Sequence, residues 1–274
     1  MAILLVDLSG CAWLDIKVRK LIYRPTPERQ DNFTGLRPGD LSFATLVPGD
    51  TAGTPDSLQM WWLPHADAQA PALLYLHGTF RSLYHNIGKI DALRKAGYSV
   101  LAVDYRGWGE SSPIIPSEQT IYADAATAWA ELERRQPYPG KRVIYGHSVG
   151  GGVAIELASH RHHGRDYGGL IVESTFTRLP DVAAADGILG TLLSGFSTQK
   201  FDSIDKIGKV DAPILIIHGS NDKTVPVALG RALRDAAPAH TRWLEIAGGT
   251  HSDLYSDAPE IYQQALRRFA ELLR

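Results

Sequence analysis

The stretch from Gly146 to Gly150 has the residue types and spacing of a catalytic nucleophile. It reads Gly-His-Ser-Val-Gly and matches the pattern G-x-S-x-G around Ser148. The apolar run Val143–Tyr145 leads directly into the motif, and small residues that can open a helix follow it. In this context the motif predicts a sharp strand-to-helix turn, which exposes the serine hydroxyl beside the positive end of a helix dipole. This favours nucleophilic attack by Ser148, and the alternative interpretation is a glycine-rich structural turn.

A nucleophilic serine needs a histidine that takes its proton and a carboxylate that orients this histidine. The strand-to-helix turn around Ser148 resembles that of α/β-hydrolases, in which the acid and then the histidine come later in the chain, on loops after strands. Asp222 follows the apolar run Ile214–Ile217 and is the predicted acid, with Glu173 as the alternative. His251 follows the last predicted strand and is the predicted base.

The other histidines of the chain have simpler interpretations. Three of them end predicted strands, where we expect packing groups or neighbours of the catalytic residues: His77, His147 and His218. His160, His162 and His163 are expected to end the helix after Ser148, where cations are favoured, rather than to bind a metal. The sequence therefore predicts neither a metal nor a cofactor.

The tetrahedral intermediate of acyl transfer needs N–H donors directed at its oxyanion. Val149, the residue after the nucleophile, is predicted to supply one of them. The loop after the strand Leu73–Leu76 is predicted to supply the other. Thr79 is preferred because it follows the turn glycine, Gly78, and Phe80 is the alternative.

The elements that must position these residues alternate along the chain. Six short apolar runs are typical of parallel strands covered on both faces: Ala72–Leu76, Tyr98–Val103, Arg142–Tyr145, Leu170–Val172, Ile214–Ile217 and Trp243–Ile246. Apolar residues at helical spacing occur between Ile121 and Leu132 and between Tyr262 and Leu273. Nearer the start, Phe43–Val47 and Gln59–Leu63 predict two antiparallel strands. The pattern predicts an α/β fold with a mostly parallel, doubly wound sheet and antiparallel N-terminal edge strands.

These landmarks together resemble the α/β-hydrolase superfamily, specifically the Bem46-like and ABHD13- and ABHD17-like serine hydrolases. The likeness runs from about Tyr23 to the C-terminus. Five motifs carry it: Leu76–Gly78, Asp104–Ser111, Gly146–Gly150, Val172–Phe176 and His218–Asp222. The resemblance implies the α/β-hydrolase fold, with Ser148, Asp222 and His251 as the catalytic residues.

The expected activity is that of a cofactor-free serine hydrolase that cleaves carboxyl ester or thioester bonds through an acyl-enzyme. Candidates are an esterase, a lysophospholipase-like enzyme or an acyl-protein thioesterase-like enzyme, acting on a small-molecule or lipid-like ester. The segment between Ser174 and Pro213, which contains the apolar run Ile188–Leu193, is short for a helical lid, so we expect a small cap or none. A serine peptidase and a non-catalytic binding protein on the same scaffold are the alternatives.

Composition excludes several other classes of protein. The chain has 274 residues, of which 44% are hydrophobic and 21% charged, and its formal net charge is −2. This balance is typical of a soluble globular protein and argues against a nucleic-acid binder, which would carry a basic patch. No run approaches the roughly 18 apolar residues of a membrane-spanning helix. We expect a lead segment over residues 1–30 and a single α/β-hydrolase domain over residues 31–274.

Cys11 is the only cysteine, which excludes an intramolecular disulfide. The sequence Leu8–Cys11 resembles the lipobox of bacterial lipoproteins, in which the cysteine becomes lipidated. No basic residue precedes it, however, and Asp7 interrupts the apolar stretch that a signal peptide requires. Two interpretations remain open: a cytoplasmic protein with an unmodified cysteine, or a lipoprotein anchored to a bacterial membrane through Cys11.

Overall fold

The computed structural model describes residues 8–49, 53–185 and 198–273. Within them, eight strands form one sheet in the order β1-β2-β4-β3-β5-β6-β7-β8. The strands are β1 Leu41–Val47, β2 Asp56–Leu63, β3 Ala72–Leu76, β4 Ser99–Asp104, β5 Arg142–His147, β6 Gly169–Glu173, β7 Ile214–Gly219 and β8 Arg242–Ile246. The pairs β1–β2 and β2–β4 are antiparallel, and the remaining pairs are parallel. The predicted sheet, mostly parallel with antiparallel N-terminal edge strands, is therefore confirmed.

Successive side chains of a central strand enter two separate hydrophobic cores, one on each face of the sheet. In β3, Leu74 and Leu76 belong to one core and Leu73 and Tyr75 to the other, and all four are fully buried. Because successive residues of a strand point to opposite faces, a strand covered on both faces reads as a continuous apolar run. The loops that follow these parallel strands meet at one edge of the sheet.

Nine α-helices accompany the strands in the described residues, and several of them pack against the sheet. They are α1 Leu8–Tyr23, α2 Leu83–Lys95, α3 Glu118–Arg135, α4 Val149–Ser159, α5 Leu179–Ala185, α6 Ile204–Ile207, α7 Val227–Ala236, α8 Leu254–Asp257 and α9 Pro259–Ala270. The apolar faces predicted for α3 and α9 are buried, as Ile121 and Tyr262 illustrate. Leu273 continues the face of α9 in sequence but lies beyond the end of that helix, where it is still buried. The apolar run Ile188–Leu193 lies outside the described residues.

The C-terminal end of α1 is attached to the rest of the domain. Tyr23 is fully buried, and its ring packs edge-on against Trp108 and Phe201. Its hydroxyl donates a hydrogen bond to Oε1 of Gln199 at 2.7 Å. The backbone of Cys11 lies within the same helix. Of the helices in the three described ranges, none is long and apolar enough to cross a membrane.

Candidate active site

Ser148 lies in the turn between β5 and α4 with a φ of 56° and a ψ of −123°. A positive φ is unfavourable for a residue other than glycine and costs about 1–3 kcal/mol. Neighbouring glycines make the turn sterically feasible: a Cβ on Gly146 would lie 2.1 Å from the carbonyl oxygen of Gly150, and a Cβ on Gly150 would lie 2.1 Å from that of Leu76. Strand and helix thus approach more closely than any larger residue allows, and the strained turn that the motif predicts is present.

Backbone hydrogen bonds hold Ser148 in this conformation. Its N–H donates to the carbonyl oxygen of Glu173 at 2.9 Å. Its own carbonyl oxygen accepts from the N–H of Gly151 at 2.9 Å and from the hydroxyl of Thr175 at 2.8 Å. The strained conformation persists because these three contacts fix the turn.

The structure brings Ser148, His251 and Asp222 together at the edge where β5, β7 and β8 end. Nε2 of His251 lies 3.0 Å from Oγ of Ser148, and Nδ1 of His251 lies 2.8 Å from Oδ2 of Asp222. Because a carboxylate only accepts hydrogen bonds, Nδ1 carries the proton and Nε2 presents a lone pair to the serine hydroxyl. Such an arrangement can take the proton of Ser148 as its oxygen attacks a carbonyl carbon.

Asp222 stays a carboxylate because of the hydrogen bonds that it accepts. Burial raises the pKa of Asp222, but the hydrogen bonds from His218 and His251 outweigh burial, so the pKa lies well below its usual range. Its second oxygen, Oδ1, accepts from the backbone N–H groups of Thr224 and Val225 at 2.9 and 2.8 Å. With both oxygens bonded, the carboxylate has one fixed orientation toward His251.

His147 contacts the loop that carries His251, a contact that the sequence does not indicate. Its Nε2 lies 3.0 Å from the carbonyl oxygen of His251, although 104 residues separate the two in the chain. Burial lowers the pKa of His147 well below its usual range, and the positive charge of Lys89 lowers it further. The neutral ring therefore donates its Nε2 proton to that carbonyl oxygen and anchors the loop.

The loop after β3 lies against the nucleophile. A Cβ on Gly78 would lie 2.9 Å from Cβ of Ser148, so only glycine permits this approach. Thr79, Phe80 and Val149 line the pocket that contains Ser148. Phe80 has a φ of 75°, and strain of this kind is often found at functional sites. The assignment of Val149 and Thr79, with Phe80 as the alternative, as oxyanion donors stays a prediction.

Glu173, the alternative acid, belongs to a different cluster of side chains. It is fully buried at the end of β6. Lys89 pairs with one carboxylate oxygen, while Tyr145 and Tyr262 donate to the other, Tyr262 at 2.7 Å. Burial raises the pKa of both tyrosines far above the usual value, so both remain hydrogen-bond donors. The Glu173 carboxylate thus interacts with these three groups. Nδ1 of His251 is instead hydrogen-bonded to Asp222, the predicted acid.

Ser148 and His251 line a pocket of about 810 Å³, a volume typical of ligand sites. Helices α1 and α5 contribute mainly apolar side chains to its lining. Helix α2 and the loops after β7 and β8 contribute mainly polar ones. The pocket that contains the reacting atoms therefore has both apolar and polar lining.

The histidines after α4 have local partners. Nε2 of His160 lies 3.0 Å from the carboxylate of Glu156, and Nδ1 of His162 lies 3.4 Å from that of Asp211. Among the residues that the structure describes, no group of three or more His, Cys, Asp and Glu side chains is placed to hold a metal ion.

Comparisons with known proteins identify relatives of the chain. A family model described as "Serine aminopeptidase, S33" matches residues 68–202. An uncharacterized protein of Mycobacterium tuberculosis is 31% identical over 255 residues, which cover 92% of this chain and 86% of that protein. The lysophosphatidylserine lipase ABHD12 of Danio rerio is 32% identical over 192 residues, which cover 65% of this chain and 50% of the lipase.

Solved structures include close matches to the fold. An alpha-beta hydrolase from Vibrio vulnificus superposes with a TM-score of 0.74 at 20% sequence identity. The match covers 96% of this chain and 95% of that structure. At this level of identity the likeness concerns the fold, and it includes nearly the whole chain.

Proposed function

The chain belongs to the α/β-hydrolase family, and on that premise we propose that it is a serine hydrolase that cleaves carboxyl ester or thioester bonds. One observation carries the proposal: the imidazole of His251 bridges Oγ of Ser148 at 3.0 Å and Oδ2 of Asp222 at 2.8 Å. This is the geometry that a serine needs to become a nucleophile at neutral pH.

In the first half of the reaction, Ser148 Oγ attacks the carbonyl carbon and His251 Nε2 takes its proton. Asp222 stabilises the resulting imidazolium, since its carboxylate accepts a hydrogen bond from Nδ1–H. The N–H groups of Val149 and Thr79 stabilise the oxyanion, each by about 3 kcal/mol in the transition state. His251 then protonates the leaving alkoxide or thiolate, and the acyl group remains on Ser148 as an ester.

In the second half, a water molecule replaces the leaving group beside His251. Nε2 accepts a proton from this water as its oxygen attacks the acyl carbon, and a second tetrahedral intermediate forms. Its collapse expels Oγ of Ser148, which takes the proton back from His251. The carboxylic acid leaves, and the enzyme returns to its starting state.

We propose a lipid-like or small-molecule ester as the substrate. The apolar contribution of α1 and α5 to the pocket lining supports an acyl group of some length. The name of the zebrafish relative, a lipase for lysophosphatidylserine, supports the same class of substrate. Either an ester or a thioester fits, because the leaving atom needs only the proton on Nε2 of His251.

A fluorophosphonate probe tests the proposal directly, because it labels only an activated serine. We expect the intact mass of the wild-type protein to increase by one adduct and that of Ser148→Ala to stay unchanged. Ser148→Ala should also lower turnover of p-nitrophenyl acetate by several orders of magnitude without unfolding the protein. A folded wild-type protein that forms no adduct would contradict the proposal and favour the non-catalytic binding protein.

The description of the matching family model makes a serine peptidase the second candidate. The same triad can cleave an amide. An amine is a poorer leaving group, however, so Nε2 of His251 must lie close enough to protonate the leaving nitrogen as it departs. A series of aminoacyl p-nitroanilides, compared with the matching p-nitrophenyl esters, separates the two activities. We expect the rate enhancement over the uncatalysed reaction to be larger for the esters than for the anilides. A larger enhancement for the anilides would identify a peptidase.

A further inference from the structure

The pocket around Ser148 has an apolar part that comes from two elements far apart in the chain. Val18, Leu21 and Ile22 of α1 line it, together with Leu179 and Val182 of α5. Leu21 is half exposed, whereas Val18 is buried at 5% exposure. The N-terminal helix is thus part of the wall of the site and not only a segment that precedes the domain.

Helices α1 and α5 pack against a common core. Ile22, Leu179 and Val182 all pack against the same hydrophobic core, which includes Tyr23. The hydroxyl of Tyr23 donates to Gln199, which lines the same pocket. Helix α1 is therefore held at its C-terminal end, with its apolar side chains facing the pocket.

The polar part of the pocket is a separate group of side chains around His251. Helix α2 contacts the segment after His251 closely, since a Cβ on Gly88 would lie 2.6 Å from the hydroxyl of Tyr255. Lys89 of α2 lies 5.5 Å from the ring centroid of Tyr255. Lys223, which follows the triad acid, also lines the pocket.

The reaction itself decides which part of a substrate enters which part of the pocket. Nε2 of His251 must protonate the leaving oxygen or sulfur, so the leaving group lies on the side of His251, among the polar side chains. The acyl group is attached to the other side of the carbonyl carbon. It therefore extends away from His251, and the side chains of α1 and α5 are the part of the pocket lining whose apolar character suits it.

We propose that α1 and α5 together form an acyl-chain subsite, and that the enzyme selects straight-chain fatty acyl esters by the length of the acyl group. This inference rests on the proposed function of Ser148 as the nucleophile. Each methylene that enters the subsite loses its contact with water. Burying one methylene is favourable by about 0.8 kcal/mol. If the transition state is stabilised by this amount, kcat/KM rises about fourfold for each methylene.

The first test is the chain-length profile of the wild-type protein with p-nitrophenyl acetate, butyrate, hexanoate and octanoate, all below their micellar concentrations. We expect kcat/KM to increase about fourfold per methylene through octanoate. A profile that is flat or falls beyond butyrate, in an enzyme that turns over acetate and reacts with the fluorophosphonate, would overturn the acyl subsite alone. A protein that hydrolyses no ester and forms no adduct would overturn the proposed function, and the subsite with it.

The second test places a larger side chain in each wall of the subsite. Leu21→Trp in α1 and Val182→Trp in α5 should each lower the ratio of octanoate to acetate kcat/KM at least tenfold. Leu41→Trp is the matched control, because Leu41 is 49% exposed and Leu21 50% exposed, and Leu41 lies in edge strand β1 outside the pocket lining. We expect the control to keep the wild-type ratio. Wild-type ratios in both pocket variants would overturn the subsite.

Discussion

Replacing Asp222 with asparagine tests the hydrogen-bond direction on which the site depends. Asparagine has nearly the same shape, and its oxygen can still accept from the N–H groups of Thr224 and Val225, which lie 2.9 and 2.8 Å from Oδ1. The amide nitrogen then occupies the position of Oδ2, 2.8 Å from Nδ1 of His251. Because that nitrogen donates, Nδ1 must become the acceptor and the imidazole proton moves to Nε2.

The Nε2 proton then points at Ser148, which lies 3.0 Å away, and the base is lost. The same exchange in the triad of a serine protease lowers kcat by about 10⁴, which corresponds to about 5 kcal/mol in the activation free energy. We expect a loss of that size here, because the substitution preserves volume, backbone contacts and the oxyanion donors. The residual rate should still exceed that of water alone.

The assay is the turnover of p-nitrophenyl acetate at neutral pH, with circular dichroism and thermal unfolding to confirm that the variant folds. Asp235→Asn is the control, since Asp235 is exposed and pairs only with Arg234 among the described residues. We expect wild-type turnover from the control. A folded Asp222→Asn protein that keeps more than about a tenth of the wild-type kcat would refute the proton arrangement, because a reversed tautomer leaves no base.

Three further predictions concern stability, pH and the N-terminal helix. Lys89→Met should lower the free energy of unfolding in urea by about 3–5 kcal/mol, because it leaves the buried carboxylate of Glu173 without its cation. The double variant Lys89→Met/Glu173→Gln should regain much of this loss, and a single-variant loss below about 1 kcal/mol would contradict the reasoning. Burial lowers the pKa of His77 to about 4, below the usual 6.5, so the unfolded chain binds the proton more readily. The unfolding free energy should therefore decrease as the pH falls from about 6.5 to about 4, by about 3 kcal/mol, and His77→Gln should remove this contribution from urea titrations at a series of pH values. An identical pH dependence in the variant would exclude His77 as the cause. Intact mass of protein from native cells tests the two interpretations of Cys11: the cytoplasmic one predicts an unmodified cysteine, and a mass that includes a diacylglycerol would identify a lipoprotein.

The sheet could be predicted from the sequence because its strands carry a local signal. Each central strand is buried on both faces and reads as an apolar run, and β3 shows this in every residue. The turn at Ser148 has an equally local signal, since the glycines on either side of it are required by close backbone contacts. The rule that acid and base follow the nucleophile on loops after strands then indicated Asp222 and His251, which the structure brings together with Ser148.

Contacts between distant parts of the chain could not be predicted in this way. Tyr23 reaches Gln199 across 176 residues, so the sequence of α1 alone reads as a lead segment although its end lies in the core. Glu173 ends a strand, and its position in the chain fits that of the acid. Its carboxylate, however, forms an ion pair with Lys89 of α2, a contact that the sequence does not indicate. The anchoring role of His147 depends in the same way on a backbone carbonyl 104 residues away.

The order of the strands also has a consequence for the kinetics of folding. The predicted triad needs β5, β7 and β8 in place, with β6 paired between β5 and β7. Ser148 and His251 are 103 residues apart, and parallel pairing over such distances forms slowly because a long loop must close first. During refolding, most of the helical and sheet content should therefore return before hydrolytic activity does. Recovered turnover then reports completion of the C-terminal half of the sheet, a step that spectroscopic measures of secondary structure do not resolve.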